Sequence, residues 1–69
     1  MDNAELKNAL LSKRPIILKH LTLEVEYKCV SAIIYREKEG NVDISAELLD
    51  KNEWSVTICD PSQIRYKES

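Results

Sequence analysis

Leu21-Thr22-Leu23-Glu24-Val25-Glu26-Tyr27-Lys28-Cys29-Val30-Ser31-Ala32-Ile33-Ile34-Tyr35-Arg36 decides the reading of this chain. Leu23, Val25, Tyr27 and Cys29 alternate with Glu24, Glu26 and Lys28, the period-2 pattern of a half-buried strand. From Val30 to Ile34 both parities turn apolar. Two readings fit: the strand is covered on both faces there, or a bulge near Val30-Ser31 shifts its register. A bulge also bends the strand, as a small barrel or a strongly bent sheet requires.

The flanks extend the β pattern. Glu37-Lys38-Glu39-Gly40-Asn41 reads as a hairpin turn, with the chain's single glycine where a positive φ is needed. Val42, Ile44, Ala46 and Leu48 alternate with polar neighbours as a further strand. Asp50-Lys51-Asn52-Glu53 is a second turn, and Trp54 to Cys59 the last long strand. Asp60-Pro61-Ser62-Gln63 predicts a tight or 3-10 turn, and Ile64-Arg65-Tyr66 a short closing strand. The tail Lys67-Glu68-Ser69 is expected to fray. Upstream, Ile16-Ile17-Leu18 reads as the first strand and Lys19-His20 as a weak turn. Residues 2–13 read as a helix: Asp2 and Glu5 form a capping-box pattern, Leu6, Ala9, Leu10 and Lys13 share a face, and Pro15 ends it. The expected fold is therefore mainly β with one N-terminal helix: a small antiparallel barrel or a strongly bent sheet of four or five strands over 16–66.

With 69 residues the chain is one domain at most, too short for a dinucleotide-binding unit with a substrate domain. Its core is small, which favours self-association; a homodimer would use the Leu6, Leu10 and Leu11 face or a free strand edge. The competing reading is that the helix packs on its own strands. No apolar run could span a membrane, and the acidic N-terminal stretch is no signal peptide, so the expected location is the cytoplasm of the cell that makes it. In that reducing compartment Cys29 and Cys59 are expected to be free, buried thiols.

The net charge is −2, and it drifts from four bases against two acids over residues 1–20 to three bases against six acids over 41–69. That balance argues against nucleic acid as a partner. The Trp54 to Tyr66 segment, with its Pro61-Ser62 turn, resembles the end of SH3-like barrels, without the motifs of a proline-peptide groove. Glu26 to Arg36, with Ser45 to Asn52, resembles short uncharacterised proteins of Firmicutes phages and prophages. That resemblance transfers no catalytic residue; it implies a mobile element acting inside a bacterial cell.

Catalytic chemistry finds no constellation. Cys29, Cys59 and His20 lack any metal-binding spacing, so neither metal nor cofactor is expected. No nucleophile elbow is present, and a single glycine cannot build a phosphate loop. Glu24 with Glu26, and Asp43 with Glu47, sit at alternate strand positions where solvated charges are the ordinary occupants. The expectation is a non-enzymatic binding module that contacts a host protein through Asp43, Glu47, Asp50, Glu53 and Trp54. Trp54 reads either as an interface anchor or as a cover for one end of the fold. A different class is an oligomeric binder of a signalling nucleotide, with Lys13, Arg14, Lys19 and Arg36 on the phosphates and Tyr27 or Tyr35 stacking. A structural or assembly protein is the third expectation.

Overall fold

The computed structural model describes residues 1–68. A helix α1 (Asn3–Ser12) leads into six strands: β1 (Ile16–His20), β2 (Leu23–Tyr27), β3 (Cys29–Lys38), β4 (Asn41–Leu49), β5 (Val56–Cys59) and β6 (Ile64–Tyr66). A 3-10 turn at Pro61–Gln63 joins the last two. The strands form two three-stranded antiparallel sheets, in the orders β2-β1-β6 and β3-β4-β5. β2 and β3 are one bent path interrupted only at Lys28, so a single stretch of chain passes from one sheet to the other. The barrel expected as one alternative does not close: β5 and β6 share no ladder among the described residues. The strongly bent arrangement is what forms.

The bulge lies where the apolar parity changes. Val30 pairs with Leu48, Ala32 pairs with Glu47, and Ser31 is the extra residue between them. This lets Val30 and Ile33 lie on the same face as Leu48 and Ala46 despite their odd spacing. Ser31 Oγ donates to Glu47 Oε2 at 2.7 Å, so the extra residue keeps a polar partner. The core is Leu6 and Ala9 from α1, Ile16, Val30, Ala46, Leu48 and Ile64. Leu6 and Ala9 are thus spent inside the chain's own fold, which removes Leu6 from the seam considered for a dimer. Leu11 is exposed, and Leu10 partly covered.

The helix is fixed at both ends. Asp2 accepts from the Glu5 backbone N–H at 2.8 Å, a cap that contributes about 1 kcal/mol. Lys13, left-handed at φ 56, stops the helix two residues before Pro15 is reached. Several expected boundaries move. Lys19 and His20 belong to β1, and the turn is Leu21-Thr22, with Leu21 at φ 57. The β3–β4 hairpin tip contracts to Glu39 and Gly40, both at positive φ, because Lys38 and Asn41 already pair. Trp54 and Ser55 precede β5 rather than opening it. Lys67 is not frayed: its N–H donates to Pro15 O at 3.0 Å. Ser69, the end of the expected frayed tail, lies outside the described residues.

Leu21 invites a test. A left-handed leucine carries backbone strain, and its side chain is 82% exposed, so truncation loses little packing. Leu21→Gly should raise folding stability by roughly 0.5–1 kcal/mol, after the added freedom of the unfolded chain is subtracted. Urea denaturation of the two proteins reads the difference.

Candidate interaction surface

The expected contact residues fall mostly around one corner, where β4 turns into β5. The turn runs from Asp50 to Ser55 and is closed by backbone bonds from Asp50 N–H to Ser55 O at 3.0 Å and Glu53 N–H to Asp50 O at 2.9 Å. Glu53 takes φ 60 to complete it. Trp54 follows at once and is 90% exposed, so it covers no end of the fold. Glu47 is the cross-strand partner of Ile58, and Leu49 that of Val56. Cross-strand partners share a face, so Glu47, Leu49, Val56 and Ile58 lie on the same side of the sheet. That side is opposite to the one bearing Ala46 and Leu48, which are fully buried. Asp43 is on the same side of β4, four residues from Glu47 and across from Arg36.

Long-range polar contacts pin this turn to the bend between the sheets. Lys28 Nζ lies 2.9 Å from Glu53 Oε1, and Lys51 Nζ lies 3.2 Å from Glu26 Oε2. The Lys28 N–H also donates to Leu49 O at 2.9 Å. Exposed ion pairs contribute little stability, typically about 0–1 kcal/mol each. Here they restrict where the turn can sit, and a restricted turn loses less entropy when a partner covers Trp54. Glu53 is therefore a positioning residue whose charge is already compensated. Glu47 and Asp50 have no ion-pair partner among the described residues and leave the corner two uncompensated carboxylates, whereas Asp43 stands apart on the distal hairpin.

Glu26 also meets Lys67 Nζ at 2.7 Å, so one carboxylate ties β2 to the chain following β6. The hydrogen bond from Lys67, followed by that from Lys51, holds its carboxyl below the ordinary value of 4.5. Its folded form therefore resists protonation more than its unfolded form. The stabilisation is present above about pH 4.5 and is lost as pH falls through the lowered value. Glu26→Gln should flatten the acid limb of a stability-against-pH curve measured by urea titration. An unchanged acid limb would contradict this role. Burial, then the neighbouring Asp60 charge, pushes the Cys59 thiol up, so it stays protonated and unreactive at neutral pH. Cys29 is buried, and both cysteines are free.

The four bases considered for an anion site are not brought together. Lys13 lines a cleft of about 280 Å³ with Leu10, Lys28, Cys29 and Glu53. Lys19 lines a separate one of about 370 Å³ with Glu24 and Arg65, where Arg65 is bonded to Glu24 at 2.9 Å. Arg14 stacks on the Tyr66 ring at 3.8 Å, with Asn8 Nδ2 donating to the Tyr66 hydroxyl at 2.6 Å. Arg36 stands on the distal hairpin, across from Asp43. Of the two tyrosines considered for stacking, Tyr27 donates to Thr57 Oγ1 at 3.2 Å and bridges the sheets, while Tyr35 is exposed. Among the described residues no three His, Cys, Asp or Glu converge as metal ligands, and no helix is long and apolar enough to cross a membrane.

The linear sequence holds no signal for the Lys28–Glu53 and Glu26–Lys51 pairs, because each joins residues far apart in the chain. Val56 and Ile58 carry alternation, yet nothing in the alternation says that their face stays open. No family model, no curated protein and no solved structure matches the chain.

Proposed function

We propose that this chain is a non-enzymatic binding module that acts by protein–protein contact, with the β4–β5 corner as its recognition surface. The observation that carries the reading is Trp54, 90% exposed on a pinned turn beside the half-open Val56 and Ile58. A tryptophan held in water has no role in the core, and tryptophans rank among the commonest anchors of interfaces. Glu47 and Asp50 lie on its side of the corner, so the matching partner surface is basic with an apolar socket. Such complementarity speeds encounter and weakens with salt.

The setting proposed is the interior of a bacterial host, with a host protein as target, as the resemblance to phage and prophage proteins implies. The fold is proposed as a relative of SH3-like barrels, supported by the bent path β2–β3 shared by two sheets and the 3-10 turn before β6. The dispersed bases give less support to a nucleotide binder.

Capture of tagged protein from bacterial lysate, at low and high salt, tests the reading. A stoichiometric protein partner should be retained at low salt and lost at high salt. Glu47→Gln with Asp50→Asn should weaken the retention and reduce its salt dependence. Salt-independent retention, unchanged in that variant, would reject the acidic corner.

A further inference from the structure

Four strand edges are free in the two sheets: β2 and β6 in one, β3 and β5 in the other. Three carry charge, the usual device against edge-to-edge pairing. β2 holds Glu24 and Glu26, β6 holds Arg65, and β3 holds Arg36, Glu37 and Lys38. β5 is Val56-Thr57-Ile58-Cys59, with no charge, no proline and a half-exposed Val56 and Ile58. We infer that β5 pairs with β5 of a second copy, antiparallel about a two-fold axis through Thr57, and joins the two β3-β4-β5 sheets into one of six strands. This goes beyond the host-protein reading and needs no host partner.

The register follows from the ladder already present. Asp50 N–H donates to Ser55 O, so residues 50 and 55 are a hydrogen-bonded pair. Such pairs alternate along an antiparallel ladder, so Thr57 and Cys59 also turn their backbone groups toward β4. Val56 and Ile58 then direct their N–H and C=O groups to the free edge, and no hydrogen bond among the described residues uses them. A two-fold axis at Thr57 sets Val56 opposite Ile58 of the second copy, and Ile58 opposite its Val56. Both become hydrogen-bonded pairs, and together they exchange four backbone bonds. The same operation places the two Val56 and Ile58 pairs on one face, as apolar cross-strand neighbours. It sets Trp54 opposite Asp60 and Glu53 opposite Pro61, so no like charges meet.

Four residues a side with half-exposed Val56 and Ile58 fall short of the roughly 800 Å² per partner of a stable complex. The dimer is therefore concentration-dependent. Its axis is perpendicular to the joined sheet, so the Glu47 positions of both copies lie on one face and the recognition corner is presented twice.

Sedimentation of the purified chain between about 10 μM and about 1 mM, the range in which so small an interface dissociates, is the test. The mass should rise toward twice that of one chain. Ile58→Lys should hold it at one chain throughout, whereas Val42→Lys, at a more exposed β-residue on the distal hairpin, should not. Amide exchange of the wild-type protein gives a second readout if Ile58→Lys does not fold. Val56 and Ile58 amides should slow with concentration, and those of Thr57 and Cys59 should not. A single-chain mass at every concentration, a dimer that survives in folded Ile58→Lys, or Val56 and Ile58 exchange that ignores concentration would each overturn the inference.

Discussion

Leu48→Ala should remove about 3 kcal/mol of folding stability, through lost burial and the cavity left behind. Leu48 is fully buried near the C-terminal end of the middle strand β4, packed with Ile16, Val30 and Ile64. A core in a chain of this size supplies only roughly 3–5 kcal/mol of net stability, so one truncation consumes most of it. The variant should be partly unfolded at room temperature and should show no cooperative urea transition of normal size. Val42→Ala is the matched control: same strand, same face, but 65% exposed on the distal hairpin. It should change stability by about 0.5 kcal/mol or less. Equal losses at the two positions would mean that the core is not where the fold places it.

Trp54→Ala should have the opposite profile. A side chain 90% in water contributes little to folding, so the urea midpoint should stay within experimental scatter. Binding should suffer instead. Anchor residues at interfaces cost about 2 kcal/mol or more on truncation, which is roughly thirtyfold in affinity. Titration of the captured partner with wild-type and variant protein measures the loss. A variant that binds as well as the wild type removes Trp54 from the interface. The contrast between Leu48 and Trp54 separates what folds the chain from what the chain presents.

Local patterns made a good part of this legible. Gly40 marked the distal hairpin, the parity change at Val30-Ser31 marked the bulge, and Asp2 with Glu5 marked the helix start. The misses have physical causes. Leu21 turns the chain at positive φ, a job that sequence rules give to glycine or asparagine, so the sequence pattern points to Lys19-His20 for the first turn instead. Lys28 divides one strand into two without any glycine or proline to announce it. Leu23 and Val25 alternate like core residues, yet β2 runs beyond the core and leaves them largely exposed. For the candidate site, alternation marks Asp43 and Glu47 as outward strand positions and the polar run marks Asp50 as a turn residue, while Trp54 reads equally as an anchor or an end cover. In the fold Asp43 and Trp54 are exposed and Glu47 and Asp50 half-buried. The compensation of Glu53 by Lys28 was not readable, because it depends on how the β4–β5 turn folds back on the bend.

Paired capture of wild-type and Trp54→Ala protein from bacterial lysate, with mass spectrometry of the bound proteins and small molecules, tests the central claim most directly. The account predicts a protein partner held by the wild type, released by salt and lost from the folded variant. The same protein held equally by both, or a retained nucleotide with no protein, would contradict it.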